Sequence, residues 1–220
     1  MQVSENFGKA LQDYVYLIDR EYPARGALTL VSDRYGLNGR ERSMLYRGIF
    51  APRKAAARKS KIIANLKETS GPLLIDGFNV LVIVASYLQG LPVFLSNDGF
   101  VRDAAKGRGD TGASPRLPEA AGLLGDFLEK ESRLNPVVYL DQQVPQHPVV
   151  AGRFYDIQAV EIRISEKVDR DLISHTHGVI CTSDSGIIHR SPLPVFDLAR
   201  EILEHNFALK IMDLQNLMMK

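Results

Sequence analysis

Cysteine is nearly missing from this chain of 220 residues, tryptophan is missing altogether, and neither sign of charge predominates. With Cys181 alone, no intrachain disulfide can form. The N-terminus lacks the charged-then-apolar pattern of a secretory signal, so a cytoplasmic protein is expected. Long hydrophobic runs are also wanting: the longest, around Val80 to Ala85, is far too short to cross a bilayer as a helix. A net charge of +1 gives no global attraction to a polyanion, so any nucleic-acid partner must be recognised by where the charges lie. Internal repeats and low-complexity tracts are absent too. The length suits one large domain or two unequal ones, and nothing in the sequence fixes the oligomeric state beyond leaving room for a homodimer.

The charges that are present are unevenly placed. Between Arg40 and Lys61 the cations Arg40, Arg42, Arg47, Arg53, Lys54, Arg58, Lys59 and Lys61 face a single acid, Glu41. Lys54, Arg58 and Lys61 recur at helical spacing and form one basic stripe, suited either to solvent or to phosphates.

Residues 1–70 show helical periodicity, as in Leu11, Val15 and Ile18 and again in Met44, Leu45 and Ile49. Pro23, Gly36, Gly39 and Pro52 punctuate this region into helices expected near 4–21, 24–34, 39–50 and 53–69. Gly71-Pro72 marks a change of pattern, which divides the chain into a helical region over 1–70 and an α/β domain over 71–220. Short apolar runs at 73–76, 136–140 and 178–182 read as strands, with helices over 78–88 and 118–133. A further strand is expected within 157–164 and a short one at 194–196, before a helix starting near Asp197. Strands of this kind separated by helices imply a mainly parallel sheet covered on both faces. The stretch from Asn97 to Pro118, with four glycines and two prolines, reads as a loop. It mixes Arg102, Lys106, Arg108 and Arg116 with Asp98, Asp103 and Asp110, and could close over a phosphate or simply move.

In such a sheet, ligands bind beyond the carboxyl ends of the strands. Acids stand at several of these ends: Asp76 after Leu73-Leu74-Ile75, Asp141 after Val137 to Leu140, Asp184 after Val179 to Ser183, and Asp197 after Val195-Phe196. Asp169 and Asp171 open another helix-like stretch. Any one of them is ordinarily a helix N-cap. Together, carboxylates held a few ångströms apart repel unless a hard cation lies between them, which points to Mg²⁺ or Mn²⁺. Gly77 permits a tight strand-to-helix turn, and Asn79 can bond Asp76 or a phosphate. His175 and His177 alternate but lack the companions of a zinc site, and Cys181, inside an apolar run, reads as core.

Ile75-Asp76-Gly77-Phe78-Asn79, Glu166-Lys167-Val168-Asp169 and Thr182-Ser183-Asp184-Ser185 occur in the order in which the NYN branch of the PIN-like nucleases carries its motifs, and residues 72–205 resemble that branch. The resemblance implies a three-layer α/β/α fold and metal-dependent cleavage of RNA, with Asp76, Asn79, Asp169 and Asp184 catalytic. The cation would be held by Asp76, Asp169 and Asp184, with Asp171 as a further oxygen donor. Thr182 and Ser183 would assist locally, and Lys54, Arg58, Lys61 and Arg102 would meet the RNA. Two departures stand out: Gly186 occupies a position where that branch often has a second acid, and Lys167 directly precedes Val168 where it has glycine. Gly186 supports the alternative of a PIN-like fold kept as an RNA-binding or assembly module. A phosphohydrolase of small nucleotides would use the same acids in a closed pocket. Leu17-Ile18-Asp19-Arg20 and the run Asp33-Arg34-Tyr35-Gly36-Leu37 followed by Arg40-Glu41-Arg42 also resemble a prokaryotic, largely archaeal family known only as domains of unknown function.

Overall fold

The computed structural model describes residues 3–67, 69–104, 114–131 and 134–218. Lys106, Arg108 and Asp110, and the end of the helix expected to reach 133, lie outside them. Four helices open the chain: α1 (Phe7–Asp19), α2 (Ala24–Arg34), α3 (Gly39–Gly48) and α4 (Pro52–Lys59). The first buries Phe7, Ala10, Leu11 and Tyr14, the i, i+3, i+4, i+7 stripe that makes an amphipathic helix. Asn38 and Glu41 form a reciprocal capping box at the start of α3. The expectation of a helix over 53–69 is corrected: α4 stops at Lys59, and residues 61–63 run beside the sheet edge, where Ile63 donates to the Val195 carbonyl at 3.0 Å and Val195 to that of Lys61 at 2.8 Å.

The rest is a three-layer α/β/α unit. Its elements are β1 (Leu73–Asp76), α5 (Gly77–Leu88), α6 (Leu117–Lys130), β4 (Val137–Asp141), α7 (His147–Ala151), β5 (Glu161–Ser165), α8 (Val168–Ile173), β6 (Val179–Cys181), α9 (Ser185–Arg190), β7 (Val195–Phe196) and α10 (Leu198–Asn206). The five strands are all parallel, in the order β5-β4-β1-β6-β7. Alternation along each strand supplies both faces. Leu73, Ile75, Val138, Leu140, Val179 and Cys181 join the core under α5, α6 and α10, whereas Leu74, Val137, Tyr139 and Ile180 join that under α8 and α9.

A second sheet was not foreseen. β2 (Val93–Leu95) pairs antiparallel with β3 (Val101–Asp103) and parallel with β8 (Met212–Asp213), which precedes α11 (Leu214–Met218). The reading of 97–118 as loop is thus corrected at β3, while α6 starts at Leu117, one residue before the helix expected from 118. Phe94 and Leu214 belong to the same buried cluster as α1, α2 and α3, so the helical front end packs on this sheet. The turn after β2 clamps the link between α3 and α4: the Asn97 side-chain amide donates to the Phe50 carbonyl at 2.8 Å, and its oxygen accepts from the Phe50 N–H at 3.0 Å. No helix among the described residues is long and apolar enough to cross a membrane.

Candidate active site

From β1 the chain winds outward to β4 and β5, then crosses back to β6 and β7. The reversal falls between β1 and β6, where helices leave the sheet in opposite directions and a crevice opens at the carboxyl ends. Asp76 ends β1 there and Asp184 follows β6. Gly77 is required at the turn from β1 into α5, because a Cβ would lie 2.7 Å from Leu140 Cδ2 and 2.9 Å from the Tyr139 carbonyl oxygen.

Hydrogen bonds lace the two strand ends together. Thr182 Oγ1 donates to Asp76 Oδ2 at 2.9 Å and accepts from the Asp184 N–H at 3.1 Å. Asn79 Oδ1 accepts from the Ser183 N–H at 2.7 Å, which ties the first turn of α5 to the end of β6. Asp184 Oδ1 takes the N–H groups of Gly186 at 2.7 Å and Ile187 at 3.1 Å, capping α9. Burial pushes Asp76 up to about 7; the Thr182 hydroxyl opposes this, and the charges of Asp184 and Asp169 add to it.

Asp76, Asn79, Asp169 and Asp184 line one cleft of about 420 Å³. Asp169, in the first turn of α8, makes a 3.8 Å ion pair with Arg190. Asp171 is not part of the lining: it accepts from Ser165 Oγ and sits 3.4 Å from Arg170. Among the described residues no group of three or more His, Cys, Asp or Glu side chains is already arranged to hold a metal ion. The acids of the cleft nevertheless offer only oxygen donors, and their mutual repulsion at Asp76 is the electrostatic condition a hard cation relieves.

Several residues expected to meet substrate are also engaged inside the protein. Arg102 is buried, with Nε donating to the Ser183 carbonyl at 2.8 Å and Nη1 2.6 Å from Asp98 Oδ1. Arg58 is buried and reaches the other oxygen of Asp98 at 3.2 Å. Burial works against the charge on Asp98, yet Arg102 and Arg58 hold its carboxyl below the ordinary range. Lys61 Nζ donates to the carbonyls of Ile188 and Ser191, each at 2.7 Å, and so fastens the end of α9. Thr182 and Ser183 are buried struts of the acid site. Lys54 alone of the stripe is exposed. Asp197 is a structural cap, accepting from the N–H groups of Val101 at 2.7 Å and Arg200 at 3.2 Å. His175 bonds the Tyr139 hydroxyl at 2.7 Å, and Cys181 is core.

The cleft also contains residues that sequence reasoning had not assigned to it. Asp141 carried a signal, being an acid at a strand end, and Glu166 and Lys167 lie in the middle motif. Arg47 and Asp103 could not be paired from the sequence, since their 2.9 Å ion pair joins α3 to β3 across 56 residues.

Fold and site together define a doubly wound α/β protein with an acidic cleft at its switch point and a helical region packed alongside. Residues 65–201 match the family described as "Domain of unknown function (DUF5616)", and the chain belongs to that family. Residues 6–61 match a second one, "Protein of unknown function (DUF434)". The chain is also similar to Uncharacterized protein MJ0935 of Methanocaldococcus jannaschii, at 30% identity over 205 residues that cover 90% of this chain and 96% of the relative. No solved structure matches.

Proposed function

We propose that this chain is a PIN-like, NYN-type ribonuclease that hydrolyses RNA phosphodiester bonds with Mg²⁺ or Mn²⁺ at the cleft of Asp76, Asp169 and Asp184. The observation that carries the reading is the convergence of three carboxylates from β1, α8 and the end of β6 on one cleft at the switch point, with Asp76 forced towards neutrality by burial and by the other two. Asp76, Asp169 and Asp184 would hold the cation, which when bound supplies positive charge for the phosphoryl oxygens and a water acidic enough to attack near neutral pH. Thr182 orients the Asp76 carboxylate, and Asn79, by accepting from the Ser183 N–H, holds the β6 end that carries Thr182 against it. Lys167 and Arg190, on the cleft wall, attract the scissile phosphate. The buried, unpaired thiol of Cys181 asks for no oxidising compartment, and a cytoplasmic location is part of the proposal.

A second reading, an RNA-binding or assembly module without catalysis, is favoured by one observation: Asp184 Oδ1 is occupied in capping α9, and two residues on stands Gly186 rather than an acid. Incubating the purified protein with labelled RNA pools and Mn²⁺ separates the two. The nuclease reading expects cleavage that a chelator stops and that Asp76→Asn, still folded by circular dichroism, reduces on the order of a hundredfold or more. Salt-sensitive binding without cleavage would replace it with the module. Turnover of mononucleotides in preference to RNA would replace it with a small-nucleotide phosphohydrolase.

A further inference from the structure

A second and larger depression, about 1090 Å³, runs between the helical front end and the carboxyl edge of the parallel sheet. It meets the acid cleft at Arg47, Asn79 and Asp184, which line both. Arg53 and Lys54 of α4 are exposed on its wall. Its lining also holds Tyr22 and Tyr46, which are 57% and 43% exposed. The comparably exposed Tyr16, outside the groove, is covered by Arg20 at 3.5 Å from the ring centroid. Among the described residues no ring or guanidinium stacking contact covers Tyr22 or Tyr46.

The floor is unusual in its charge. Arg58 and Arg102 both stack on Phe50, at 4.1 Å and 4.9 Å, and share the single carboxylate of Asp98. Arg58, itself buried, keeps one nitrogen, Nε, without a hydrogen-bond partner. Two buried guanidiniums share the Asp98 carboxylate and feel Asp184 and Asp197 more weakly, and the positive charge that remains lies on the α4 side of the groove, where a phosphate oxygen is the natural complement. Asp19 and Glu21 stand at the groove as well, and their negative charge confines the favourable stretch to the side of α4.

We infer that this groove is a track for single-stranded RNA, in which Tyr22 and Tyr46 stack unpaired bases, Arg53 and Lys54 meet the phosphates, and the strand is led over Asn79 towards the acids. Open aromatic faces beside cations recognise single strands because a duplex hides the faces of its bases. The inference rests on the nuclease reading only in naming the acid cleft as the destination; binding itself needs no metal.

Fluorescence anisotropy in EDTA tests it, using a labelled 12-nucleotide RNA alone and annealed to its complement. The single strand is expected to bind at least about tenfold more tightly than the duplex. Tyr22→Ala with Tyr46→Ala, both at exposed positions, should weaken binding by about tenfold or more while leaving the salt dependence unchanged. Arg53→Gln with Lys54→Gln should weaken binding and flatten the slope of log K against log salt by about 0.7 per lost phosphate contact. Equal affinity for the duplex, no binding by the wild type, or full binding by the tyrosine pair overturns the track. Binding with this pattern but no cleavage in Mn²⁺ sinks the nuclease and leaves the track standing. Cleavage by the tyrosine pair with unchanged KM does the reverse.

Discussion

Asp76 ends one strand of the parallel sheet and Asp197 follows another, and each is held above the ordinary carboxylate range by burial, yet only Asp76 faces the cleft. Asp197 has two backbone N–H partners and no acid among the groups that shift it; burial alone lifts it, to about 6 from 3.8, against those two bonds and against Arg102 and Arg200. Between those two values the unfolded chain ionises at this position while the folded protein keeps its proton. The contribution of Asp197 to stability is therefore full below pH 4 and is lost as the pH rises through about 6. A shift of this size is worth at most about 3 kcal/mol. Asp197→Asn cannot titrate. Urea denaturation should show the wild type losing about 2–3 kcal/mol more than the variant between pH 4 and pH 7.5. The comparison cancels whatever Asp76 contributes to both proteins. Parallel pH profiles would mean that the Asp197 carboxyl titrates as it does in water.

At the level of elements, legibility followed the range of the interactions that make each one. The apolar stripe of α1 and the capping box of α3 are local, and spacing alone located both helices. The runs before Asp76, Asp141 and Asp184 are buried on both faces, so their strands were visible as short apolar segments. Strands β2 and β3, a hairpin of three residues a side, were too short to show a pattern, and β8, of two residues, exists only through the distant pairing of Met212 with Phe94. The end of α4 was missed for the same reason, since its continuation is taken up by Val195 of a distant strand. The candidate site divides likewise: Asp76 and Asp184 were legible from strand ends, whereas the internal engagement of Arg58 and Arg102 depends on Asp98 in a turn that only the small sheet creates. Gly77 is the local position that most constrains the site. Alanine is the better helix former by about 1 kcal/mol, but its Cβ would press on Leu140 and on the carbonyl of Tyr139, and the latter belongs to a strand that cannot yield. Overpacking of about 1–3 kcal/mol should prevail. Gly77→Ala is thus expected to lower the melting temperature and, by shifting Asp76, to cut RNA cleavage more than the stability loss explains. A melting temperature at or above that of the wild type would show slack in the turn.

Across the whole molecule, the question is whether the helical front end and the α/β unit fold as one body, because the groove takes one wall from each. Phe94 decides it. It is fully buried, it belongs to β2 in the middle of the small sheet, and its ring lies in the apolar cluster of α1, α2 and α3. The contact with α3 is close: a Cβ on Gly48 would come within 2.5 Å of Phe94 Cε2. Around it, Asn97 holds Phe50, and Asp98 joins Arg58 of α4 to Arg102 of β3. A helical region docked through a shared core and a buried ion pair cannot loosen without exposing both. Phe94→Ala should therefore cost about 3–5 kcal/mol, and for a chain of this size lower the melting temperature by on the order of 10 °C. The expected trace is a single transition, displaced as a whole, in both calorimetry and far-ultraviolet circular dichroism. Two transitions, with only the lower one moved by the substitution, would mean that the helices dock late and weakly. The groove walls would then be free to part, and an RNA track between them could not be rigid enough to aim a phosphodiester at Asp76.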